Sequence, residues 1–189
     1  MRFVIFIVAA FALLPLGARA FCYSYPPQAI YEYVNDVTGR YVLLWDDAEI
    51  ATIDAGSAQT GWHRTGSMFG GVSVHYCYFS IPRMCRFYAP SINAHFLTAR
   101  AVECDGLRAV PASGWIYERN DVSVYVPDAA GQCGYLQTPV HRLHSNVQTD
   151  AGVGYRHTAD PSIRASLLAQ GWTDEGVAFC AVNYRSPGT

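Results

Sequence analysis

The chain has 189 residues, 51% of them hydrophobic and 15% charged, with 13 tyrosines, four tryptophans, six cysteines and a formal net charge of −2. Every basic residue is an arginine, and none stands in a basic run. Such a weakly acidic chain is a poor partner for a phosphate backbone or an anionic membrane surface, and its aromatic content is the opposite of a disordered composition.

Met1-Arg2 begins the chain with one positive charge, an uncharged apolar stretch follows, and Ala18-Arg19-Ala20 closes it with small residues. This is the pattern of a secretory signal peptide cut after Ala20, and its apolar run is too short for a membrane span. The predicted organisation is therefore a signal peptide at 1–20 and a single domain at 21–189. The domain has a net charge of about −4, because Arg2 and Arg19 leave with the leader. All six cysteines (Cys22, Cys77, Cys85, Cys104, Cys133 and Cys180) lie in the domain, which predicts a disulfide framework in a secreted or periplasmic protein. Fifteen connectivities are possible; the expected one is Cys77–Cys85, Cys104–Cys133 and Cys22–Cys180.

Strand, turn and strand are predicted at AIYEYVNDVTGRYVLLWD, beginning at residue 29, then a short helix at DDAEIATID with Asp46 as its cap. Gly61-Trp62 follows, then a turn and an alternating strand in GGVSVHYCYF. The same order recurs. MCRFYAPSINAHFLTA precedes a weak helix at RAVECD, Gly114-Trp115 and NDVSVYV. VHRLHSNVQTDAGVGYRHTA precedes a helix from Pro161, capped by Asp160, then Gly171-Trp172 and EGVAFCAV. The Gly-Trp pairs are 53 and 57 residues apart, a period that signals repeated supersecondary units. The expected fold is mainly β with short helices. Three strand–strand–helix–strand repeats (about 30–78, 84–126 and 140–182) close with pseudo-threefold symmetry, as in a small propeller or a β-trefoil. Trp62, Trp115 and Trp172 are expected in its core, each placed after a helix-ending glycine.

RFYAPSINAHFLTA at 86–99, the Gly-Trp pairs and EGVAF at 175–179 together resemble a threefold repeat of unknown function found in secreted bacterial and fungal proteins. Its units read R-F-Y-N, turn, H-F-Y-T, short helix, G-W, E-G-V-A-F. The resemblance spans roughly 30–182 and implies an accessory or binding role. Here Glu32 stands where Arg86 and Arg142 do, Tyr41 stands where His95 does, and Gly70-Gly71 takes the place of Glu175-Gly176.

His95, on a strand among apolar neighbours, is the sharpest polar candidate, either contacting a ligand or serving as a structural histidine. Trp45, outside the repeat pattern and beside Asp46-Asp47, is the expected exposed aromatic. Tyr41, Tyr88, Tyr155, Arg86 and Arg142 complete the candidate ligand-binding set. His141-x-x-His144 makes a poor metal pair, since residues three apart on a strand face opposite ways. No catalytic residue, metal or cofactor is predicted. The sequence lacks a G-x-S-x-G elbow, a phosphate loop and a dinucleotide fingerprint. The expected function is an exported, non-enzymatic module for a cell-wall or extracellular polysaccharide, or for a surface protein, without nucleic-acid or membrane partners. The alternatives are a small secreted hydrolase using His95 or an acid such as Glu175, and an inhibitor or surface-assembly protein.

Overall fold

Among the described residues each α-helix follows a β-hairpin and leads into one further strand. A computed structural model describes residues 27–56, 61–73, 81–145 and 154–184; the expected leader, Cys22 and Cys77 lie outside them. In chain order the elements are β1 (Gln28–Asn35), β2 (Arg40–Leu44), α1 (Asp47–Asp54), β3 (Trp62–Ser73), β4 (Cys85–Ala89), β5 (Ala94–Thr98), α2 (Ala101–Ala109), β6 (Ile116–Arg119), β7 (Val122–Ser123), β8 (Gln137–His144), β9 (Tyr155–Thr158), α3 (Pro161–Ala169) and β10 (Thr173–Val182). The hairpin turns follow from local chemistry. The Asn35 side chain accepts from the backbone N–H groups of Val37 and Thr38, both at 3.0 Å, and Asn93 takes the left-handed conformation at φ 44°. Asp46 caps α1 by accepting from Glu49 N at 2.9 Å, and Asp160 caps α3 by accepting from Ser162 N at 2.7 Å.

In each hairpin the first strand is central, giving the local orders β2-β1-β3, β5-β4-β6 and β9-β8-β10. The first and third groups join through β3 and β10 into one antiparallel sheet, to which β7 adds, and the second group forms its own three-stranded antiparallel sheet. The described residues form a mainly β fold of two sheets and three short helices, without a closed barrel. The second strands, β2, β5 and β9, approach one another pairwise. The main buried cluster draws on all three groups, with Ile30, Leu43 and Phe69, then Met84, Leu97 and Val122, then Val140 and Phe179. Phe69 and Phe179 meet edge to face at 5.7 Å.

The closing strands start earlier than the alternation predicts. β3 begins at Trp62, and β6 and β10 begin one residue after their tryptophans. The expected turn is a bulge inside the strand. Gly66 and Gly176 have φ of 90° and 83°, beside register shifts at Tyr31/Tyr33 and Asp174/Val177. Thr65-Gly66, rather than Gly70-Gly71, therefore occupies the place of Glu175-Gly176. Gly70 has a different purpose: a Cβ there would lie 2.1 Å from the carbonyl oxygen of Val182, so its absence lets β10 join β3.

The disulfides differ from the expected pairing. Cys85–Cys104 ties β4 to α2, and Cys133–Cys180 ties the loop before β8 to β10. Tyr125, whose carbonyl accepts from Cys180 N at 2.7 Å, holds the segment before Cys133 alongside β10. Closing loops of 19 and 47 residues removes unfolded-state entropy equivalent to about 3 and 4 kcal/mol. Cys133→Ser will lower the unfolding free energy by about 4 kcal/mol, read by urea denaturation under oxidising conditions. A loss no larger than that of an exposed serine substitution would contradict this.

Candidate functional site

Glu32, Arg86 and Arg142 hold one register on the three central strands, opposite Leu43, Leu97 and His157 on their hairpin partners. All three are buried, and a buried charge has to be paired. Arg86 makes a bidentate contact to Glu49 of α1, at 2.9 Å through each Nη, and donates through Nε to Glu118 of β6 at 2.7 Å. Arg142 repeats this one group later. Its two Nη atoms contact Glu103 of α2 at 2.9 and 3.0 Å, and its Nε donates to Glu175 of β10. Each arginine thus clamps the helix of the preceding group to the closing strand of its own. Planar, bidentate recognition of two carboxylates is the geometry a guanidinium supplies and an ammonium does not, which fits a chain without lysine.

The third junction carries the reverse charge. Glu32, 0% exposed, accepts from Thr65 at 2.7 Å and from Arg156 of β9 at 3.2 Å. Arg156 stands at the register of Val42 and Phe96, and its guanidinium lies 4.4 Å over the Tyr41 ring. Tyr41 also meets Trp172 edge to face at 6.5 Å. Ile163 is the third residue of α3, where α1 and α2 present Glu49 and Glu103.

A cleft opens at each of the first two junctions. The first, of about 210 Å³, is lined by Val42, Leu44, Glu49, Ile53, Trp62, Tyr88, Asn93, His95 and Glu118. The second, of about 510 Å³, is lined by Phe96, Val102, Glu103, Gly106, Leu107, Trp115, Arg142, Tyr155 and Glu175. A larger depression of about 650 Å³ beside Arg100, Val177 and the Asp128 turn has no aromatic wall. His95 and Tyr155 occupy the same register, so the residue that distinguishes the two clefts chemically comes from the same place on the hairpin.

In the first cleft the His95 ring lies 4.8 Å from the Tyr88 ring, and its side chain is 16% exposed. Its Nδ1 is buried without a hydrogen-bond partner among the described residues. Its Nε2 is 3.7 Å from Glu118 Oε2, too far for a hydrogen bond. Burial, reinforced by the Arg86 charge, lowers the His95 pKa to about 4, so the imidazole is neutral at neutral pH. Burial pushes the Glu118 carboxyl up, against the pull of Arg86. A neutral histidine beside a part-buried carboxylate can donate and accept hydrogen bonds without adding net charge. In the second cleft burial alone would raise Glu103, but hydrogen bonds from Arg142 and Thr98 and the charges of Arg142 and Arg100 hold it at about 2.

The structure separates the residues that sequence singles out. Tyr88, His95 and Arg86 gather at the first junction, Tyr155 and Arg142 at the second, and Tyr41 at the third. Trp45 is not an exposed aromatic. It is 4% exposed, its indole donates to Asp121 at 2.7 Å, and the Arg86 and Arg119 guanidinium groups lie 5.5 and 5.6 Å from its ring centre. Its position at the end of β2 carries it into the shared core. Trp62, Trp115 and Trp172 are half-buried and not sealed in the core; Trp62 and Trp115 pack against two smaller buried clusters. Glu175 is engaged by Arg142, and His144 Nδ1 lies 2.9 Å from it without hydrogen-bond alignment. Asp174 is held by Arg164. Neither is an unengaged acid. Among the described residues no three potential ligands cluster to hold a metal.

Sequence reasoning missed Glu49, Glu103 and Glu118. For Glu118 the third position after each tryptophan (Thr65, Glu118, Glu175) was the available signal, and it shows when the Gly-Trp pairs are aligned in place of the downstream glycines. No curated protein and no solved structure matches the chain. The profile of a family described as a domain of unknown function (DUF5648) matches residues 83–187, from just before β4 onward. That match covers more than half of the chain, which belongs to the DUF5648 family.

Proposed function

We propose that this protein is an exported binding module for a carbohydrate of the cell wall or extracellular matrix, and that a sugar ring seats in the first junction cleft. The observation that carries this reading is the wall and floor of that cleft. Trp62 and Tyr88 supply aromatic surface, while the part-exposed His95 ring and Glu118 supply hydrogen-bonding capacity beside an arginine whose charge is already matched. Sites of this kind combine an apolar wall with a few fixed polar groups. A volume of about 210 Å³ is below the roughly 300–1,000 Å³ of drug-sized sites and suits one ring of a polymer. Export is supported by the apolar leader and by two disulfides, which persist in oxidising compartments. Among the described residues no helix is long and apolar enough to cross a membrane.

The reading includes a history of triplication about an approximate threefold axis. Its support is the shared register of Glu32, Arg86 and Arg142, the common strand order, and the convergence of β2, β5 and β9.

Calorimetric titration with cellohexaose, chitohexaose and soluble peptidoglycan fragments tests the proposal. At least one will bind. Trp62→Ala will weaken it by about 10- to 100-fold, the equivalent of the roughly 1.5–3 kcal/mol carried by a buried aromatic contact, and His95→Ala will weaken it further. Absence of binding to all three, or affinity unchanged in both variants, would count decisively against it.

A further inference from the structure

The two clefts sit at corresponding junctions but differ in what they leave available to a ligand. At one register Val42 of the first is Phe96 in the second, and at another His95 is Tyr155. Both changes add aromatic surface. The Phe96 ring is 5.8 Å from Trp115 and 5.0 Å from Tyr155, so three rings form one wall. The charges behind it are matched internally. Glu103 accepts from Arg142 through both oxygens and from Thr98 and Arg100 besides, and Glu175 is taken by Arg142. Arg142 adds a contact to the Leu97 carbonyl at 3.3 Å and covers Phe96 at 4.7 Å. A ligand entering here meets rings and a closed ion network, with the Tyr155 phenol as a polar tip. Val102, 87% exposed, stands at the rim. The volume of about 510 Å³ lies within the range of small-molecule sites.

We propose that the Trp115 cleft is a second, chemically distinct binding site, which takes an uncharged aromatic ring such as a benzyl or phenolic group. The inference goes beyond carbohydrate binding and does not depend on it, because different residues and a different ligand class carry it. An anion would need an unmatched cation, which the network does not offer, and an incoming cation would be repelled by the Arg142 guanidinium already seated over the Phe96 ring, while ring-on-ring contact is favourable in offset or edge geometry.

The test uses 4-fluorobenzyl alcohol as the probe, followed by its fluorine NMR signal against the disulfide-intact protein. Saturable binding with Kd below about 1 mM is expected for a ligand of this size. Trp115→Ala and Phe96→Val will each weaken it by about tenfold, Trp115→Phe will retain most of it, and Trp62→Ala in the other cleft will leave it within about twofold. Near-ultraviolet dichroism confirms that the variants keep their packing. Benzyltrimethylammonium will bind more weakly than the alcohol. The proposal is overturned by any of three results: no saturable binding to the wild type, undiminished binding in correctly folded Trp115→Ala, or tighter binding of the ammonium probe. Loss of oligosaccharide binding alone would leave this site standing.

Discussion

Arg142→Met will lower the unfolding free energy by about 3–5 kcal/mol, because it removes the guanidinium that Glu103 and Glu175 share and leaves Glu175 without its charged partner. For a domain of this size that corresponds to a fall in Tm of about 10 °C or more. The side chain of Arg142 is 5% exposed and joins α2, β8 and β10 at one point, so its loss frees the helix from the neighbouring group as well as unmatching charge. Replacing Arg142, Glu103 and Glu175 together by apolar residues of similar volume will recover most of the loss, since a packed apolar set often matches a buried ion cluster in stability. Urea denaturation of the single and triple variants measures both effects. A single-variant loss under about 1 kcal/mol would show that the network is solvated and does not fasten the junction.

The second large effect is on acid stability. His157 is buried on β9 opposite Arg142, with its ring 6.0 Å from Phe179. Burial, with a contribution from the Arg142 charge, lowers its pKa from 6.5 to about 3. The folded pKa is below the unfolded one, so the unfolded chain takes up the proton first. Stability is therefore complete above pH 6.5 and declines as pH falls towards about 3, by about 4 kcal/mol at the limit. His95, lowered to about 4, acts in the same direction. Glu103 and Asp121, both held at about 2, extend the decline below the ordinary carboxylate range. Leu43 and Leu97 occupy the register of His157 on the other hairpins, so His157→Leu has a precedent within the chain. That variant will flatten the stability profile between pH 6.5 and 4. Denaturation midpoints across that interval check it, and a profile with the wild-type slope would locate the acid sensitivity elsewhere.

The parts of this fold legible in sequence are those that depend on neighbours a few residues apart. Hairpin turns at Asn35 and Asn93, the caps at Asp46 and Asp160, and the order of strands and helices all follow from local chemistry. The parts that depend on distant contacts were not legible. Trp45 looks exposed beside two aspartates until the Asp121 carboxylate, 76 residues on, takes its indole N–H. The disulfides were misjudged because sequence spacing says nothing about which loop lies along β10. The bulges at Gly66 and Gly176 look like turns, since both need a positive φ. In the candidate site, His95, Tyr88, Tyr155 and both arginines could be singled out by residue type. Their division among separate junctions could not, because helix and strand partners from adjacent groups decide it. The charge reversal at the third junction was half visible: Glu32 stood out against Arg86 and Arg142, but its partner Arg156 required the fold.

The most direct measurement is nitrogen-resolved NMR of the disulfide-intact protein during titration with the oligosaccharide that binds in calorimetry. Shift changes are expected to concentrate at the Trp62 indole, at the His95 ring and around Glu118, with Trp172 unmoved. Changes centred on Trp172 and Tyr41, or spread without regard to the first junction, would contradict this.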